Sequence, residues 1–189
     1  LCVVPNGDLF KVLRSGKADI VTDRIAKFTE RGILLASGAE LEADIIVTAT
    51  GLNVQIAGGA ELLVDGVPVD VRNSVLYKGV LLSGVPNAMI VLGYTNASWT
   101  LKADLVCEYV VRLLEYMDQH NLKMVVPPRT EGLKPGPLLD LESGYLARVA
   151  DTLPKSGDRD PWRLKHNWYF DKKTIRKTEI NDGTLEFTA

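Results

Sequence analysis

Hydrophobic residues recur along this chain in two rhythms, and each predicts its own kind of element. Leu101, Leu105, Val106, Tyr109, Val110, Leu113, Leu114 and Met117 return at three- and four-residue steps, with Ala103, Cys107 and Val111 widening the stripe. That period predicts one helix of roughly 20 residues starting near Leu101, apolar enough to belong inside a domain. Ser98 and Thr100 compete as its N-cap, and Asn121 fits its C-terminal stop. A shorter helix is predicted over residues 9–14, capped by Asp8 and stopped by Gly16.

The second rhythm belongs to strands. Residues 18–22, 25–29 and 32–36 alternate or run apolar between turns and read as a β-meander. Residues 44–51 read Asp44-Ile45-Ile46-Val47-Thr48-Ala49-Thr50-Gly51, five apolar or β-branched residues behind one acid. Such a run predicts a strand buried on both faces, as in the parallel sheet of an α/β domain. Open α/β sheets place ligands at the small residues that end such a strand, although a strand closing in a tight turn has the same sequence. Residues 80–82 and 88–93 form two further apolar runs about a turn at Pro86 and Asn87, the second again read as a buried strand.

Between these patterned stretches, residues 52–78 offer only the turn signals Gly58-Gly59 and Asp65-Gly66 and a short strand over residues 62–64, and read as a connection. Beyond His120 prolines punctuate the chain, and only residues 138–149 could hold another helical turn or two. Trp162, Trp168, Tyr169 and Phe170 argue that this tail wraps a surface, since disordered segments are poor in large aromatics.

Composition narrows the function classes. The chain has 189 residues, 46% hydrophobic and 24% charged, with a formal net charge of −2. That excludes an overall electrostatic footprint for nucleic acid, and no run approaches the roughly 20 apolar residues of a membrane span. Residues 159–177 carry seven basic residues against two acidic ones, a mixture that reads as a solvated face rather than an anion or membrane-surface site. Cys2 and Cys107 show no metal or disulfide spacing, which fits a reducing, cytoplasmic setting. The first residues, Leu1-Cys2-Val3-Val4, contain neither an initiator Met nor a signal peptide, and read as the start of a piece of a larger polypeptide.

The strand, loop and helix arrangement over residues 93–105 is the strongest chemical signal. A helix N-terminus carries unpaired N–H groups and partial positive charge, which suits an electron-rich group such as the N1 and C2-carbonyl end of a reduced flavin. Thr95, Asn96 and Ser98 offer hydrogen bonds, and Tyr94 and Trp99 offer flat walls. An ordinary capped helix with packed aromatics accounts for the same pattern.

The stretch Asp44 to Asn53 resembles the ATG segment of the class B flavoprotein monooxygenases, the flavin-containing and Baeyer-Villiger monooxygenases. Gly93-Tyr94-Thr95-Asn96-Ala97-Ser98-Trp99-Thr100-Leu101-Lys102-Ala103-Asp104-Leu105 resembles the stretch by which the last part of their FAD domain meets the flavin. With the opening ten residues and Leu153-Pro154-Lys155 to Pro161-Trp162-Arg163, the likeness is closest to the ethionamide-activating type.

The resemblance implies an α/β fold holding the C-terminal parts of two Rossmann-like three-layer lobes and an irregular C-terminal extension. Residues 1–51 would end the NADPH-binding domain, residues 52–122 would end the FAD-binding domain, and residues 123–189 would be an extension wrapping the FAD lobe. It also implies cofactor contacts at Thr50, Gly51, Leu52 and Asn53 toward NADPH, and at Tyr94, Thr95, Asn96, Ala97, Ser98 and Leu101 toward FAD. In that family NADPH reduces FAD, O2 adds to the reduced ring, and the peroxyflavin oxygenates a ketone or a sulfur or nitrogen centre of a small apolar substrate.

Departures from the family pattern limit what one chain can do. No GxGxxG occurs, so neither pyrophosphate has its glycine loop, and the only histidines are His120 and His166, so the Baeyer-Villiger fingerprint is missing. No catalytic residue is therefore assigned, no metal site is expected, and the chain alone is expected to show no turnover, depending on an upstream part of the same polypeptide. Two other readings remain open at the level of sequence: a non-catalytic module that binds a partner through its aromatic and basic tail, and a different pyridine-nucleotide flavoprotein oxidoreductase.

Overall fold

A computed structural model describes residues 4–129, 131–139 and 143–189. The chain divides into two compact units, Leu1–Gly51 and Leu52–Ala189, and its architecture mixes helices with small antiparallel sheets.

The first unit opens with helix α1 (Asp8–Arg14). Asp8 is not its cap: Gly7 takes that position with φ 64°, and the Asp8 carboxylate instead accepts from Lys11 Nζ at 3.2 Å. Gly16 ends the helix as expected. Its φ of 71° lets its own N–H reach Leu13 O and the Lys17 N–H reach Val12 O, so two terminal carbonyls are satisfied.

A three-stranded meander follows, β1 (Ile25–Phe28), β2 (Gly32–Leu35) and β3 (Glu40–Glu42), with β2 central. Ile33 pairs with Phe28 on one side and Leu41 on the other. Thr29 ties its turn by donating to Glu40 Oε1 at 2.6 Å and accepting from Gly32 N at 3.0 Å. Residues 18–22, expected as the first strand, join no ladder, and β3 supplies the third strand instead.

The larger correction concerns residues 44–51, expected as a doubly buried parallel strand. They form no strand, and Ile45 and Val47 are 82% and 83% exposed. A parallel strand needs neighbours to take its N–H and C=O groups, and among the described residues none pairs with residues 44–50.

The second unit begins with a 3-10 turn at Ile56–Gly59 and the hairpin β4 (Leu63–Val64) and β5 (Val67–Pro68). Asp65 and Gly66, at φ 50° and 79°, make the two-residue turn that such a hairpin requires. A second hairpin, β6 (Leu76–Tyr77) and β7 (Leu81–Leu82), is fully buried. Residues 88–93, expected as a buried strand, make only a single bridge from Met89 to Leu81, and Val91 is exposed.

Helix α2 (Trp99–Gln119) matches the predicted period and length, and Asn121 stops it at φ 53°. Only one arc of it is inside: Leu105, Val106, Tyr109, Leu113 and Met117 are buried, whereas Leu101, Val111 and Leu114 face outward. The remaining elements are β8 (Met124–Val126), the short α3 (Gly144–Ala147), α4 (Trp168–Arg176) and β9 (Glu186–Thr188), which pairs antiparallel with β8.

The tail is part of the core. Trp162, Ile175, Ile180 and Leu185 pack into the cluster formed by Tyr77, Val80 and the inner arc of α2. Trp162 meets Tyr77 edge to face at 5.6 Å between ring centroids, while Tyr169 stays exposed. Arg112 of α2 caps α4 by donating to the carbonyls of Ile175, Arg176 and Thr178. The basic stretch is largely engaged locally: Arg176 grips Glu108, Lys165 meets Asp160 at 3.0 Å, and Lys172 lies over Trp168.

Candidate functional site

The loop that runs from Gly93 into α2 is built around one tight contact. A Cβ on Gly93 would stand 2.2 Å from Cγ of Trp99, so glycine is required for the indole to fold back against the loop. Beyond it the chain leaves a run of backbone N–H groups free. The amides of Thr95, Asn96, Ala97, Ser98, Trp99 and Thr100 find no acceptor among the described residues.

Ser98 occupies the N-cap position, settling the choice against Thr100, yet its hydroxyl meets the Thr100 hydroxyl at 2.8 Å and caps no amide. Asn96 and Ser98 are exposed, Thr95 and Ala97 are half-buried, and Leu101 lies at the surface one turn into the helix. The outcome is a solvent-facing row of donors at the positive end of a 21-residue helix.

Tyr94 does not face outward with them. It is 3% exposed, and its hydroxyl donates to Asp171 Oδ2 at 2.8 Å. Burial foremost, then the neighbouring carboxylate, pushes its phenol far above the ordinary range. The same Oδ2 accepts from Lys102 Nζ at 2.8 Å, and Lys102 is also 3% exposed. Burial lowers the Lys102 ammonium below its ordinary value, with Asp171 opposing that shift.

Sequence reasoning did not single out Lys102 or Asp171. A charged residue on the buried arc of α2, one turn ahead of Leu105 and Val106, was the available signal. The space beside these groups is about 10 Å³, too small for an organic ligand.

Thr50 and Gly51 close the first unit, while Leu52 and Asn53 open the second. All four are exposed, Gly51 has φ 95°, and the Leu52 carbonyl accepts from Arg148 at 3.0 Å. They line none of the described cavities.

A cavity of about 300 Å³ in the second unit is lined by Lys78, Arg163, Leu164, Phe170 and Asp182 among others. Lys78 is held there by Asp182 at 3.0 Å and by the Thr178 hydroxyl at 3.1 Å. Among the described residues there is no cluster of metal-ligating side chains, and no helix is long and apolar enough to cross a membrane. Cys107 is a free thiol at the surface, and Cys2 lies outside the described residues.

The free amides and exposed Asn96 and Ser98 fit one electron-rich edge of a flavin. The chain has no GxGxxG loop of the kind that holds a dinucleotide pyrophosphate.

No family model matches the chain. Curated relatives do. The FAD-containing monooxygenase EthA of Mycolicibacterium smegmatis is 56% identical over 189 residues, covering 100% of this chain and 38% of the relative. The probable FAD-binding monooxygenase AlmA of Acinetobacter baylyi is 49% identical, covering 99% and 38%. The putative FAD-containing monooxygenase MymA of Mycobacterium tuberculosis is 48% identical, covering 100% and 39%. The chain thus spans under two fifths of the length of the relatives it matches. With identity of this order sustained from end to end, it belongs to the family of these FAD-containing monooxygenases and corresponds to their C-terminal part.

Proposed function

We propose that the chain is the C-terminal part of a cytoplasmic, FAD-dependent monooxygenase that uses NADPH and O2 to oxygenate ketones (Baeyer-Villiger chemistry) or sulfur or nitrogen centres of small apolar substrates. Residues 1–51 then end a Rossmann-like NADPH-binding lobe and residues 52–122 a Rossmann-like FAD-binding lobe. Residues 123–189 form the extension over the latter. Bound FAD would supply the redox chemistry, with NADPH as reductant and O2 as oxidant, one oxygen atom entering the substrate and the other leaving as water.

The contribution of this chain is electrostatic and positional. The row of unpaired amides from Thr95 to Thr100 carries this reading, since it offers preorganised donors and a helix dipole where negative charge grows on reduction. Asn96 and Ser98 add side-chain hydrogen bonds, and Leu101 excludes water at the rim. Thr50 to Asn53, exposed and free of side chains larger than leucine, would lie against NADPH.

The apolar stretch 44–50 would gain strand neighbours from the rest of the polypeptide, as would the outward arc of α2 at Val111 and Leu114.

Substitution tests the reading directly. In the FAD-loaded polypeptide that contains this chain, Asn96→Trp or Ser98→Trp should cut the flavin retained after gel filtration, measured from its absorbance. Unchanged flavin content would remove the loop from the site. The 189-residue chain alone should bind FAD weakly and show no turnover, because it lacks both phosphate loops; tight stoichiometric binding by titration would contradict that account.

A further inference from the structure

We infer that Asp171, on the tail helix α4, is a positioning residue that holds the span of the loop over residues 95–100. This rests on the proposal that the loop faces the flavin. Tyr94 immediately precedes the row of free amides and Lys102 follows it by less than a turn of helix, so the two residues bracket the loop. Both donate to the same atom, Asp171 Oδ2, each at 2.8 Å. One carboxylate oxygen therefore clasps the two ends of the loop to a helix that lies 69 residues further along the chain from Lys102.

Neither donor has a second side-chain acceptor among the described residues, and all three groups are buried, Asp171 at 7% exposure. The adjoining void of about 10 Å³ is at the lower limit of what holds a single water, so no water cluster can stand in for the carboxylate. Gly79 borders the clasp: a Cβ there would stand 2.6 Å from Cδ2 of Leu164 and 3.3 Å from Lys102 Nζ.

Removing the carboxylate strands a buried ammonium and a buried phenol. The loop ends are then free to separate, although Asp171 itself is buried away from the loop's exposed face. The C-terminal tail thus sets the geometry of a site built by the loop ahead of α2.

A structural role and a positioning role separate when the charges are removed together. In the FAD-loaded polypeptide, Asp171→Asn and the triple variant Tyr94→Phe, Lys102→Met, Asp171→Leu should each release FAD about tenfold faster, followed by recovery of flavin fluorescence. The triple variant should regain the thermal midpoint of the parent, because no polar group is left unpaired. The milder Tyr94→Phe alone should release FAD about threefold faster. Parent-like release from the triple or the single variant overturns the inference. If Ser98→Trp releases FAD while these variants do not, the clasp fails and the loop reading stands. If Ser98→Trp also retains FAD, the loop reading itself is wrong.

Discussion

The two units of this chain use similar apolar sequence to opposite effect. In the second, tail, hairpin and helix close over Tyr77, Tyr109, Leu113, Trp162 and Ile175, which are nearly inaccessible. In the first, Leu35 is the buried large side chain among the described residues, while Phe10, Ile20, Phe28, Ile45 and Val47 stand at the surface. The second unit buries much of its hydrophobic pattern while leaving Val91, Trp99, Val111 and Leu114 outside, and the first leaves nearly all of its pattern at the surface. An apolar run reports a demand for burial; only the neighbours decide whether the demand is met.

The largest expected effect would break that contrast. Trp162→Ala should cost about 3–5 kcal/mol in denaturant unfolding, because it empties a packed site against Tyr77. Phe28→Ala in the meander, exposed on its sheet, should stay within about 0.5 kcal/mol. Comparable losses at both positions would mean that the first unit has a core of its own.

A smaller loss, about 1–3 kcal/mol, is expected for Gly93→Ala, whose methyl group must displace the Trp99 indole. Near-UV circular dichroism should report the moved ring.

Acid sharpens the same comparison. Burial alone would raise the Asp182 carboxyl, but hydrogen bonds from Tyr77 and Lys78 outweigh it and hold it below its ordinary value. Its folded value is thus the lower one. The stability it contributes is complete above the ordinary carboxylate range and is lost as pH falls through that range toward the folded value. Asp182→Asn should flatten the fall in stability below about pH 4.

The smallest effect is expected at Tyr109, whose buried hydroxyl has no hydrogen-bond partner among the described residues. Tyr109→Phe should be neutral or should raise stability by about 1 kcal/mol in thermal unfolding.

Much of the second unit was legible before the structure. Helix α2 announces itself through its three- and four-residue period, and its stop through Asn121, because both are local consequences of backbone geometry. The Asp65-Gly66 turn is local in the same way. The resemblance carried by residues 93–105 pointed to the family that the curated relatives show.

What could not be read depends on distance along the chain. Lys102 and Asp171 share no spacing signal, and they meet only because α4 packs on α2. Residues 44–51 failed for the complementary reason. Their composition states what a strand would need, but pairing is a property of two segments, and the second is not among the described residues.

If the unpaired amides from Thr95 to Thr100 are donors to a bound flavin, as proposed, hydrogen exchange on the polypeptide that contains this chain, with and without FAD, will show it. Peptides covering residues 94–101 should gain protection on FAD loading, while the exposed β4–β5 hairpin keeps its rate. Equal exchange of residues 94–101 in the two states would contradict that proposal.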